Sequence, residues 1–218
     1  MCHAGTTDAM LAVAGGKGGC GKTTTTLGLA GALARAECEV VAVDADRAMP
    51  NLHELAGVPR DPGLPALDTA SLEAAGHAYP DNPRVRIVPA GEPTADCSLP
   101  QALMNLPDTH HTLIDCPAGA GPAAAAPLRI ADRTLLVSTP NPASLCNAVK
   151  TAAMARALSA PPIGVILTRC ETPPAGIGRL FDCTVLGCIS LPSDKIFENR
   201  QTVAEFDTLL GRGVLGNI

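Results

Sequence analysis

An apolar run from Met10 to Gly15 breaks directly into Gly16-Lys17-Gly18-Gly19-Cys20-Gly21-Lys22-Thr23, and an Ala- and Leu-rich segment follows to Ala36. No other feature of the chain constrains its fold as tightly. Continuous apolar residues, then glycines, then helix formers read as a buried strand, a tight loop and a helix. The alternation recurs. Strand-like runs lie at Glu39 to Asp46, Val85 to Gly91, Thr112 to Gly119, Thr134 to Ser138, Ile163 to Thr168 and Val185 to Ile189. Helical patterns cover Leu99 to Leu106, Ser144 to Leu158 and Asp194 to about Leu210. Between Arg47 and Tyr79 the pattern weakens, with Pro59, Pro62 and Pro65 punctuating short helical pieces. Uninterrupted apolar strands separated by helices imply a doubly wound α/β fold, a mostly parallel sheet with helices on both faces. With 218 residues and no linker or repeat, the chain reads as one domain, residues 1–9 being a flexible lead and 204–218 a C-terminal helix and tail.

In such sheets ligands bind beyond the carboxyl ends of the strands. The chemistry-bearing residues gather at those ends: the loop after Gly15, Asp44 and Asp46, Asp115, and Thr168 with Arg169. The loop fits GxxxxGK[ST] in its confirming context, after a strand and opening a helix. Its glycines let backbone N–H groups turn inward around an anion, and the helix adds the positive end of its dipole. Lys22 is expected to reach the β- and γ-phosphates and Thr23 to offer its hydroxyl to Mg²⁺. Gly16 through Thr24 together form the expected nucleotide cradle.

Composition bounds the partners. Hydrophobic residues make up 46% and charged residues 17%, which excludes a disordered chain, and the net charge of −5 argues against wholesale coating of nucleic acid or anionic lipid. The nine cysteines are scattered without a CxxC pair, so a reducing cytoplasmic setting is expected and a disulfide scaffold is not. The N-terminus lacks the pattern of a signal peptide, and no apolar run reaches membrane-spanning length.

Lys17 is not required by an ordinary phosphate loop. GGKGGCGKTTTT resembles the deviant Walker A signature KGGxGK[ST] of the MinD/ParA group of ATPases. The resemblance extends to VVAVDADRAMPNL, similar to the family's switch I, and to LIDCPAG, similar to the DxPAG switch II of MinD-like members. It runs from about Met10 to Val203. What it implies is an ATPase using ATP and Mg²⁺, in which two subunits sandwich the nucleotides as a homodimer and Lys17 reaches the partner's site. Asp46 would direct the attacking water, Asp44 would support the metal, and Asp115 would hold Mg²⁺ through water. Asn51 would touch nucleotide or partner, and Gly119 would sense the γ-phosphate. Thr168 and Arg169 stand where relatives contact the base, and Pro192 lies in the late loop that closes over adenine.

The resemblance implies a switch for positioning or assembling a cellular structure, with an unidentified protein activator or cargo. Two departures matter. The tail TVAEFDTLLGRGVLGNI carries a single basic residue, Arg212, so it does not support membrane binding, and dispersed arginines give no strong nucleic-acid signal. Two other readings stay open: an iron–sulfur cluster carrier ATPase of the Mrp type, although Cys183 and Cys188 lack its cysteine spacing, and a non-catalytic nucleotide-dependent adaptor. His110 and His111 are expected in a surface turn.

Overall fold

The computed structural model describes residues 10–191 and 199–211. Its first strand, β1 (Met10–Ala14), runs into the glycine loop and α1 (Lys22–Arg35), and the chain returns as β2 (Val40–Asp44). All five residues of β2 are buried, as expected of a strand covered on both faces. Three short helices follow, α2 (Leu52–Ala56), α3 (Leu64–Leu67) and α4 (Leu72–Ala75), and then a hairpin of β3 (His77–Tyr79) and β4 (Asn82–Val88). The second half alternates regularly. It comprises α5 (Leu99–Met104), β5 (His111–Asp115), α6 (Pro122–Leu128), β6 (Arg133–Ser138), α7 (Pro142–Ala157), β7 (Pro162–Thr168), α8 (Ile177–Phe181), β8 (Val185–Ile189) and α9 (Arg200–Leu209).

The eight strands form one sheet in the order β3-β4-β2-β5-β1-β6-β7-β8. Every neighbouring pair is parallel except β3 with β4. The chain builds one side of β1 first, through β2 to β5, and crosses to the other side at β6. That reversal beside β1 is where an open α/β sheet forms its binding crevice. Register brings the chemistry together: Val13 and Asp44 both pair with Asp115, so the two carboxylates stand level on adjacent strands where the phosphate loop begins.

Strand alternation divides the core. Leu11, Val40 and Ala42 face one side with Leu27, Leu33 and Phe206, whereas Ala12, Val41 and Val43 face the other with Leu64, Leu103 and Leu128. Aromatics are 2% of the chain, so small residues allow close contact instead. A Cβ added at Gly28 of α1 would stand 2.3 Å from Phe206 of α9. Phe206 and Leu209 are thereby buried, so the described part of the tail packs on its own domain.

Several expectations are corrected. The edge strand β3 is antiparallel and carried no legible pattern. The helix α6, absent from the expected helical patterns, starts at Pro122, where a missing N–H costs nothing. His111 opens β5, paired with Val40, instead of sitting in a surface turn. Cys20, Cys97, Cys116, Cys146, Cys170, Cys183 and Cys188 are free thiols, while Cys38 is disulfide-bonded. No described helix is long and apolar enough to cross a membrane. Pro192, residues 1–9 and the tail after Gly211 lie outside the described residues.

Candidate functional site

The phosphate loop is held by what its glycines permit. A Cβ on Gly15 would lie 2.4 Å from the Val137 carbonyl, and one on Gly16 would lie 2.1 Å from backbone of Asn147 in α7, so only glycine lets the loop pass these two elements. Gly19 and Gly21 take the left-handed conformation, with φ of 74° and 89°. From the far side, the Thr168 hydroxyl donates to the Cys20 carbonyl at 2.7 Å and to the Ser138 carbonyl at 3.3 Å. Thr168 is fully buried. Its side chain therefore buttresses the loop, where the sequence placed it among base contacts; the buried hydroxyl has no free path to a base. Cys20 is buried as well, with burial pushing its thiol up.

The loop borders a cavity of about 540 Å³, within the ordinary range for a small-molecule site. Of the expected residues, Gly18, Gly19, Gly21, Lys22, Thr23, Thr24, Asp46, Asn51, Asp115 and Arg169 line it. Gly16, Cys20, Asp44, Thr168 and Gly119 stand behind or beside it. Met49, Cys116, Ala118 and Leu191 also line it and were not singled out. Met49 lies in the switch I-like segment and Cys116 and Ala118 in the switch II-like segment, which is the signal that could have found them. The two loop lysines part company: Lys22 is 8% exposed and faces the cavity, whereas Lys17 is exposed and outside its lining.

Asp44 spends its carboxylate on the loop that follows it. Oδ1 accepts the Asp46 N–H at 3.0 Å, and Oδ2 accepts the N–H groups of Asn51 and Leu52, each at 3.1 Å. It is therefore a strut for that loop. Asp46 is turned toward the cavity and accepts the Met49 N–H at 3.1 Å. The neighbouring Arg47 reaches sideways, its Nη2 donating to the carbonyls of Glu92 at 2.6 Å and Ala95 at 2.7 Å. Asn51 accepts the Thr23 hydroxyl at 2.7 Å, linking this loop to the phosphate loop. On the other side, the Gly119 N–H donates to the Gly15 carbonyl at 3.3 Å. Arg169 lies exposed at the rim with φ of 57°.

Burial sets the electrostatics. Burial raises Asp115 to about 7, and the Thr23 hydroxyl and Lys22 ammonium offset only part of that cost. Asp44 is raised to about 6, again by burial, with its three backbone donors pulling the other way. Asp115 Oδ1 is buried with no hydrogen-bond partner among the described residues. An orphaned carboxylate oxygen at a cavity wall beside a threonine hydroxyl is an oxygen donor set that fits a hard cation such as Mg²⁺.

A glycine loop cradled between a central parallel strand and a helix N-terminus, with an acidic strand end alongside, defines a P-loop nucleotide-binding protein. Residues 11–178 match the CobQ/CobB/MinD/ParA nucleotide binding domain. The chain belongs to that family. It is 33% identical to an uncharacterized ATP-binding protein of Methanocaldococcus jannaschii over 178 residues, covering 78% of this chain and 68% of the relative. It is 30% identical to an iron–sulfur cluster carrier protein of Methanococcus maripaludis over 170 residues, covering 72% of this chain and 58% of that protein. Among solved structures, the septum site-determining protein MinD from Pyrococcus horikoshii, complexed with Mg-ADP, superposes with a TM-score of 0.83 at 27% identity, over 96% of this chain and 97% of that one.

Proposed function

We propose that the chain is a MinD-like ATPase that binds Mg·ATP in this cavity, hydrolyses it slowly, and dimerises around it as a switch governing the placement or assembly of a cellular structure. The observation that carries the reading is the division of labour between the two loop lysines. Lys22 supplies the buried cation of this cavity, with Arg169 at its rim. Lys17 is exposed on the same loop and outside the cavity lining, and in this reading it serves a second subunit. A fixed cation brought in from a partner neutralises charge developing on a transferred phosphoryl group.

Within one subunit the loop N–H groups and Lys22 hold and orient the phosphates. Asp46, at the cavity wall with one oxygen held by the Met49 N–H, positions water for attack on the γ-phosphate. Thr23 and Asp115 would hold Mg²⁺, which neutralises charge on the β- and γ-oxygens when bound. The Thr23 oxygen would meet the ion through a lone pair while its proton stays directed at Asn51, so loading the site would steady the loop that Asn51 anchors. A protein activator or cargo would read that change. The setting we propose is the cytoplasm, with no membrane or nucleic-acid surface required.

Light scattering with ADP, with ATP, and with ATP plus Asp46→Ala tests the switch. The expected result is a monomer with ADP, a dimer with ATP, and a dimer that persists in the variant, while Lys17→Ala stays monomeric with ATP. A mass insensitive to nucleotide would overturn the dimer mechanism.

A further inference from the structure

Two thiols meet where the sheet edge borders the cavity. Cys170 lies two residues beyond the end of β7, and Cys188 is the penultimate residue of β8. Their sulfurs are 3.2 Å apart, with the Cys170 S–H directed at Cys188. Both cysteines are free and partly exposed. Cys170 also lines a second cavity, of about 500 Å³, which shares Arg169 and Leu191 with the nucleotide cavity.

We propose that Cys170 and Cys188 form a thiol–disulfide modification site, oxidised by low-molecular-weight disulfides of the glutathione type, and that the resulting bond weakens nucleotide binding. The geometry supports both halves. A disulfide needs its sulfurs at about 2.05 Å, so closing the observed 3.2 Å asks for a movement of about 1.2 Å, which side-chain rotation can share. The open second cavity gives the oxidant access. One sulfur, as thiolate, attacks one sulfur of the small disulfide and expels a thiol, leaving a mixed disulfide. The other protein thiol then loses its proton and attacks the protein-side sulfur, expelling the second thiol. Two electrons and two protons pass from the protein to the small disulfide, which becomes two thiols. Burial and the neighbouring sulfur push Cys170 up to about 12, so Cys170 rests as a thiol at neutral pH and reacts faster as pH rises.

The coupling to the cavity follows from what the bond would enclose. Thr168 pairs with Ile189, and the Arg169 N–H donates to the Ile189 carbonyl at 2.8 Å. A bond from Cys170 to Cys188 ties down the segment carrying Arg169, held in a left-handed conformation, immediately after the Thr168 that supports Cys20. A flank of the cavity that Arg169 lines is then fixed covalently. Its affinity cost belongs in the range of ordinary site–site coupling, about fivefold or more.

The test uses the full chain, incubated with oxidised glutathione, quenched with N-ethylmaleimide and mapped by mass spectrometry. Trypsin cleaves after Arg179 and so places Cys170 and Cys188 on different peptides. Cys183 shares the Cys188 peptide, so fragmentation must assign the link. The expected result is a Cys170–Cys188 link that is abolished by Cys170→Ala or Cys188→Ala and retained in Cys183→Ala. A fluorescent ATP analogue should bind the oxidised protein about fivefold or more weakly, with recovery after reduction. Thermal melting of each alanine variant guards against misfolding. Absence of the link in the folded wild type, or a link joining Cys170 or Cys188 to another cysteine instead, would overturn the site. The affinity arm rests on the proposed nucleotide site: reduced protein that binds no ATP refutes that reading and the coupling with it. Equal binding by reduced and oxidised protein refutes the coupling alone.

Discussion

Replacing Thr168 by Val keeps the side chain's shape and removes one hydroxyl. That hydroxyl donates at 2.7 Å to the Cys20 carbonyl, from a residue with no exposed surface. Because no water reaches it, the variant leaves a buried carbonyl short of its donor, a penalty of about 1–3 kcal/mol. For a chain of this size each kcal/mol moves the melting temperature by about 2–4 °C, so a fall of about 2–12 °C is expected without nucleotide. In the proposed site the loop to which Cys20 belongs holds phosphate, so its loosening should weaken every ligand that enters through phosphate. Differential scanning fluorimetry gives the first number, and calorimetric titration with ATP and with inorganic triphosphate gives the second. A buttress predicts similar fold-losses for both ligands. Unchanged melting together with weakened ATP binding and intact triphosphate binding would mean that Thr168 touches the base, and the reasoning from its hydrogen bonds would fail.

Gly16→Ala drives a Cβ to 2.1 Å from α7 backbone, and because backbone cannot swing aside the loop must shift; melting should fall by several degrees and ATP binding should drop by at least tenfold, whereas wild-type affinity would show that the loop tolerates the displacement. Burial holds Asp115 near 7 and Asp44 near 6, so the folded chain retains protons that the unfolded chain releases, and stability without ligand falls as pH rises from about 4 to about 7. Asp115→Asn removes the larger share of that fall, about 2–3 kcal/mol between pH 5 and 8; urea titrations with equal pH dependence for both proteins would contradict it. Asn51→Ala deprives the Thr23 hydroxyl of its partner at an exposed position, so stability should change by less than about 1 kcal/mol. Its effect should appear instead in the hydrogen exchange of residues 46–52 without nucleotide, and unchanged exchange would argue against the anchor.

Where chemistry demands a residue type from the backbone itself, the sequence was readable. Glycines at 15, 16, 19 and 21 follow from close approach or left-handed conformation, and the strands of the sheet centre are continuous apolar runs because helices cover both faces. Elements of three to five residues, such as β3, α3 and α4, are too short to show a period, and tertiary contacts decide them. Roles that depend on a distant partner were equally hidden. The Thr168 hydroxyl meets a carbonyl 148 residues away, and nothing local distinguishes it from a residue facing a base. The resemblance to the family's switch I assigned Asp44 to the metal. Only the three N–H groups converging on it reveal the strut.

The Arg47 guanidinium gives the molecule a tie rod. It is attached next to Asp46 at one end and at the other holds the carbonyls of Glu92 and Ala95, in the segment that follows the end of β4. The segment contributes nothing to the cavity lining, yet it cannot keep its place when Asp46 changes position, because two short hydrogen bonds would have to stretch or follow. A partner resting on residues 92–95 would thus sense the phosphate count of a ligand it never touches. Exchange rates of these amides, compared between the ADP- and ATP-loaded chain and abolished as a difference in Arg47→Ala, would show the rod at work.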